Sequence, residues 1–158
     1  MNSIRPITAR DRQAIWDLLE STAAFQPHEM AVAMELVDTA LTKPEQQDYL
    51  PYVLEVDDTV VAYACFGRNP MTRSTYDLYW IATHRARMRE GHGQALFKFV
   101  EEEIRRRGGT LLVIETSSQE SYGGSREFYA RTGCQLAARL PDFYDLGDDR
   151  VIYLKRVK

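Results

Sequence analysis

The residues with the most chemistry to offer lie between Thr83 and Leu96, in the run Thr-His-Arg-Ala-Arg-Met-Arg-Glu-Gly-His-Gly-Gln-Ala-Leu. The run joins an apolar, β-branched and aromatic stretch, Tyr76 to Ala82, to a segment of helical periodicity that starts at His92. Glycines at 91 and 93 let the backbone approach a ligand closely and adopt unusual dihedrals. The first amides of a helix have no intrahelical acceptor, and with the positive end of the macrodipole they form an anion site suited to phosphate. Arg87 and Arg89 add positive charge there. The bland alternative is a tight strand-to-helix turn with solvated arginines. A second chemical signal is Asp77, a carboxylate inside an otherwise apolar strand, which is costly unless used or paired. Glu115, at the end of the next apolar run, is a weaker candidate of the same kind.

Two phosphate-binding systems fit the turn poorly. A Walker loop needs Gly-Lys-Ser/Thr, and Gly93-Gln94-Ala95 does not supply it. A dinucleotide fingerprint needs a third small residue where Leu96 stands, and repeated strand–helix–strand units that this chain lacks. The histidines at 28, 84 and 92 have no metal-ligand spacing, and no metal is expected. No Gly-x-Ser-x-Gly elbow is present for nucleophilic hydrolysis. Cys65 and Cys134, in apolar settings, read as buried inert thiols of a reduced protein.

The elements that must position these residues follow from periodicity. A short strand over Ile4–Pro6 precedes a helix start at Thr8, with Asp11 completing a capping box ahead of Ile15, Leu18 and Leu19. A second helix begins near Pro27 and ends before Pro44, with Met30, Met34, Val37 and Leu41 on its core side. Strands over 52–56 and 60–66 flank the polar turn 57–59 as a hairpin. A strand over 76–82, a helix from His92 to Arg107 stopped by Gly108, and a strand over 111–114 come next. A short helix over 125–132 and strands over 136–140 and 151–155 complete the order, with Pro141–Asp149 expected as a loop. The order β α α β β β α β α β β implies an α+β class with a mixed sheet of six to seven strands and about four helices.

The glycine turn resembles the coenzyme A loop of the GCN5-related N-acetyltransferases, the GNAT superfamily, whose motif Arg/Gln-x-x-Gly-x-Gly/Ala places its glycines on Gly91 and Gly93. The family's downstream motif, Asn-x-x-Ala-x-x-Phe-Tyr followed by Gly, places its Phe-Tyr on Phe128-Tyr129 and its glycine on Gly133. Three positions depart from the pattern. Met88 stands at the Arg/Gln position, Tyr122 at the Asn and Ser125 at the Ala.

The resemblance covers essentially the whole chain. It implies a single GNAT domain over residues 1–158 that transfers an acetyl group from acetyl-CoA to the primary amine of a small molecule or amino acid. The amides of Arg89, Gly91, His92, Gly93 and Gln94 would hold the pyrophosphate, and the strand backbone at Ile81, Ala82 and Thr83 the pantetheine arm. Tyr129 matches the tyrosine that protonates the leaving thiolate. Asp77 falls where the histone-acetyltransferase branch carries its glutamate base. Two other readings are an acyl-CoA-binding module without catalysis, and an acetyltransferase acting on a protein's lysine or N-terminus.

Composition sets the surroundings. The chain has 158 residues, 44% of them hydrophobic and 27% charged, with 20 Lys and Arg against 23 Asp and Glu for a formal net charge of −3. That is one ordinary globular domain. The acidic balance argues against nucleic acid as partner. Neither a signal peptide nor a membrane-length apolar run occurs, so a cytoplasmic protein is expected, with no membrane partner. A homodimer is left open. Ser21–Met30 and Pro141–Asp149 are the expected acceptor-recognition segments, the latter carrying Phe143, Tyr144 and four aspartates suited to a cationic amine.

Overall fold

The computed structural model describes residues 1–158. Seven strands form a single sheet: β1 (Asn2–Pro6), β2 (Leu50–Val56), β3 (Thr59–Arg68), β4 (Thr75–Thr83), β5 (Leu111–Ser117), β6 (Gln135–Asp145) and β7 (Asp148–Arg156). Four helices flank it: α1 (Arg12–Ser21), α2 (Pro27–Thr42), α3 (His92–Arg106) and α4 (Gly123–Arg131). The strand order is β1-β2-β3-β4-β5-β7-β6, and every neighbouring pair is antiparallel except β4–β5. The architecture is the expected α+β mixed sheet.

Each face of the sheet has its own core. A cluster of 17 buried residues, with Ala62, Ala64, Phe66, Tyr76 and Leu78 from the sheet, packs under α3 and α4. A second cluster of 11, with Val53, Tyr63 and Cys65, packs under α1 and α2. Strand β3 is thus buried on both faces, which is why its sequence is continuously apolar rather than alternating.

Local signals act as their chemistry dictates. Asp11 closes the capping box by accepting the Thr8 amide at 2.7 Å, although the first turn it caps is a 3-10 turn at Ala9–Asp11 and the α-helix proper starts at Arg12. Asp11 is buried and also accepts two hydrogen bonds from Arg5, at 2.8 and 2.9 Å, which hold its carboxyl below the usual range. Pro27 opens α2 at its first position, where a missing N–H costs nothing.

The segment Pro141–Asp149 departs from expectation. Strand β6 runs on through Pro141 to Asp145, and the reversal is confined to Asp145–Asp148 with Gly147 at φ 78°. Proline is tolerated there because β6 is the sheet's edge. The register slips between Leu140 and Asp145, with Asp142 at φ 56°, so the proline-containing stretch bulges instead of ending the strand.

Candidate functional site

Parallel pairing between β4 and β5 lasts only from Thr75/Leu111 to Leu78/Ile114. Beyond that point β4 stays with β3 as far as Thr83/Ala62, while β5 stays with β7 as far as Ser117/Arg150. The two strands therefore part and open a wedge in the middle of the sheet. A bulge drives the parting: Leu78 faces Phe66 and Trp80 faces Cys65, so Tyr79 is an extra residue that bends β4 away.

The β4 side of the wedge has free backbone. His84 donates its amide to Val61 at 2.8 Å, continuing the β3–β4 register as a hydrogen-bonded pair. Strand alternation then directs the peptide groups of Ala82 to Tyr63 and those of Ile81 and Thr83 into the wedge. Of the three strand residues proposed from sequence, Ile81 and Thr83 have backbone groups to offer. Ala82 does not, because β3 consumes them.

The glycine turn lies at the mouth of the wedge. After β4 the chain makes a 3-10 turn at Arg85–Arg87, then passes through left-handed conformations at Arg89 (φ 66°) and Gly91 (φ 84°). The first bond of α3 runs from the Ala95 amide to the Gly91 carbonyl at 3.0 Å, so the amides of His92, Gly93 and Gln94 lie ahead of the helical ladder. Gly93 marks a close approach: a Cβ there would stand 3.3 Å from Thr83 Oγ1 and 3.5 Å from the Phe128 ring. The His92 ring is buried and hydrogen-bonds Glu90 at 3.0 Å, and Arg87 Nε reaches the same carboxylate at 3.1 Å. Those two bonds, the histidine's first, hold the Glu90 carboxyl below its usual range. Arg87 is thereby engaged, whereas Met88 is exposed on the turn.

Tyr129 lies on α4, on the α3 side of the sheet, only 7% exposed. Its ring packs 5.7 Å from both Phe128 and Tyr153. Burial, then the neighbouring Cys134 and Tyr153, pushes the phenol well above its ordinary pKa, with no hydrogen bond contributing. Tyr129 is protonated at any working pH.

Asp77 occupies the opposite face. Tyr76 and Leu78 belong to the core under α3 and α4, whereas Asp77 opens into a cavity of about 420 Å³ that α2 covers through Val32 and Leu36. Asn69 Nδ2 donates to its carboxylate at 3.1 Å. Burial raises the Asp77 pKa, and the Asn69 hydrogen bond and the charge of Arg150 oppose the rise. Glu115 lines the same cavity and is ion-paired with Arg150. A larger groove of about 570 Å³ lies between α1 and α2, around the Arg12–Asp38 ion pair, but contains none of the residues above.

Sequence reasoning missed the bridge across the wedge. The Tyr122 hydroxyl donates to the Glu29 carboxylate, and Phe25 packs edge-on to both Trp80 (5.0 Å) and Tyr122 (5.8 Å). The α1–α2 connection thus spans from β4 to the turn before α4. The only sequence signal was the Gln26–Glu29 capping box, which fixes where α2 starts but not what Glu29 meets. Tyr144, from the stretch expected as a recognition loop, lines the Asp77 cavity from β6.

The model of the acetyltransferase (GNAT) family matches residues 12–134, and the chain belongs to that family. A GNAT-family protein from Desulfovibrio desulfuricans is 39% identical over 100% of both chains, with a TM-score of 0.95. The ribosomal-protein-S18-alanine N-acetyltransferase of Escherichia coli shares the fold at 19% identity and TM-score 0.79, over 100% of this chain and 95% of that one. A Salmonella typhimurium protein solved with its cofactor acetyl-CoA shares it at 20% identity and TM-score 0.74, over 99% and 94%. No curated protein sequence matches the chain significantly. No helix is long and apolar enough to cross a membrane.

Proposed function

We propose that this protein is an N-acetyltransferase that moves an acetyl group from acetyl-CoA to the primary amine of a small molecule by direct attack. The observation that carries the reading is the wedge, with an amide-rich helix start at its mouth and a half-buried carboxylate beside its apex. A long thioester with a pyrophosphate suits that mouth. The amides of His92, Gly93 and Gln94, with the left-handed turn at Arg89 and Gly91, would hold the phosphates, and the Ile81 and Thr83 backbone would pair with the amide-bearing arm. When bound, acetyl-CoA supplies the activated acyl carbon. The fold relative solved with acetyl-CoA, and an aminoglycoside 6'-N-acetyltransferase complexed with coenzyme A, support this choice of donor.

The chain's own residues supply positioning and proton transfer. The amine enters from the α2 side, where Asp77 accepts its proton. The nitrogen then bonds to the acyl carbon as the carbon–sulfur bond breaks. The departing sulfur takes a proton from the Tyr129 phenol on the α4 side, and the new amide nitrogen loses its surplus proton to solvent. Solvent returns a proton to the Tyr129 phenolate and takes the one held by Asp77, which leaves an amide and a free thiol. Holding both reactants across one gap makes the attack effectively unimolecular, the largest saving available to such a site. Thiol release from acetyl-CoA across a panel of primary amines tests the proposal. Release that requires an amine is expected. Tight coenzyme A binding with no release on any amine would reduce the chain to an acyl-CoA-binding module.

A further inference from the structure

The cavity at Asp77 carries information about the acceptor that the reaction class does not. Eight of its eleven lining residues have apolar bodies, three of them tyrosines whose hydroxyls join Asn69, Asp77 and Glu115 as its polar groups, so the cavity suits an amphipathic acceptor with an apolar body and few polar groups. Half of those apolar bodies are aromatic, with Tyr49, Tyr79, Trp80 and Tyr144 as the rings. Two of these rings, Tyr49 and Tyr79, sit edge-on to each other at 5.6 Å, and Trp80 is held edge-on at 5.0 Å by Phe25, which lies outside the lining. Fixed rings at right angles offer a slot for a flat apolar body and favourable faces for a cation.

The charge in the slot has one sign. Asn69, Asp77 and Glu115 are its polar members outside the tyrosines, and no Lys, Arg or His lines it. The nearest cation, Arg150, is already committed. It donates to Glu115, its guanidinium stacks on Phe143 at 4.6 Å, and its Nε is sealed from solvent without a partner. Asp148 and Glu29 stand close enough to the Tyr144 hydroxyl to make its ionisation harder, after burial as the larger cause. An ammonium group is matched at every turn, and a carboxylate on the same molecule has nothing to pair with.

We infer that the acceptor is a cationic monoamine with a flat apolar body and no carboxylate beside the amine: an arylalkylamine rather than an amino acid or a peptide N-terminus. The inference rests on the acetyl-transfer reading and narrows it. It separates two acceptors that the reading treats alike, because phenethylamine and phenylalanine differ by a single carboxylate. That carboxylate would lie beside the half-buried Asp77 and the more exposed Glu115, where juxtaposed like charges disfavour it.

The test compares kcat/KM for phenethylamine, phenylalanine and an alanine-terminated peptide at saturating acetyl-CoA, by thiol release. Phenethylamine is expected to lead phenylalanine by about 100-fold or more. In Glu115→Gln, which removes one negative charge and frees Arg150, that ratio should shrink by about tenfold. Phenylalanine or the peptide turning over as well as phenethylamine would overturn the inference while leaving the acetyl-transfer reading intact, and so would a ratio unmoved by Glu115→Gln. If no amine is acetylated, the transfer reading fails. Calorimetry with coenzyme A present then decides the inference: phenethylamine binding with phenylalanine excluded sustains it, and any other result overturns it.

Discussion

Replacing Tyr129 with Phe removes one oxygen and little else. The ring is held by Phe128 and Tyr153, each 5.7 Å away, and those contacts survive the change. Burial rather than a hydrogen bond sets the phenol's raised pKa, so its removal orphans no acceptor in the protein. The stability change should therefore stay within about 0.5 kcal/mol, a Tm shift of about 2 °C or less. The chemical loss is of another order. A positioned proton donor is worth about 10²–10⁴-fold in rate, or about 2.7–5.4 kcal/mol of barrier. The phenol matters only as charge builds on the departing sulfur, so kcat should fall by that factor with KM for acetyl-CoA unchanged. Thiol-release kinetics on the Tyr129→Phe protein, alongside its thermal melt, read both quantities. A kcat within about threefold of the parent would refute the proton-donor role. A kcat loss matched by a large drop in Tm would trace the effect to packing instead.

Two further outcomes follow from the site. Burial raises the Asp77 pKa, so the folded chain holds that proton at a pH where the unfolded chain has released it, and Asp77 makes stability fall as pH rises from the unfolded to the folded pKa. Asp77→Asn should melt slightly higher than the parent at neutral pH and lose about 10²-fold in kcat/KM, along with the acid limb of the rate profile; an unchanged profile would show that another group takes the proton. Met88, exposed on the turn where the family carries Arg or Gln, offers no donor to a phosphate. Met88→Gln adds one and should tighten acetyl-CoA binding about threefold to tenfold by calorimetry, whereas an unchanged or weaker Kd would mean the amides already satisfy the pyrophosphate.

The elements that depend on nearest neighbours along the chain were legible from residue types. The Thr8–Asp11 box, Pro27 at the start of α2 and Gly91 before α3 act within a few residues of themselves, and each stands where its local chemistry places it. The same holds for the amides of His92, Gly93 and Gln94, because a helix start exposes them whatever the rest of the fold does. Asp77 was legible as an anomaly, a charge in an apolar strand, and it lies in a half-buried cavity.

What residue types could not show were the pairings between distant segments. Tyr76 to Ala82 reads as one uninterrupted strand, yet its partnership with β5 ends at Leu78 and its middle carries a bulge. Pro141 reads as a strand breaker, and only its place on the sheet edge spares it. Glu29 and Tyr122 are 93 residues apart, and nothing in either neighbourhood points to the other. Periodicity records which face of an element avoids water, so by itself the sequence determined most of the elements, the class and the glycine turn before α3. Which surfaces meet is decided by packing among all of them at once. The wedge, the bridge over it and the aromatic slot at Asp77 therefore came only with the tertiary structure.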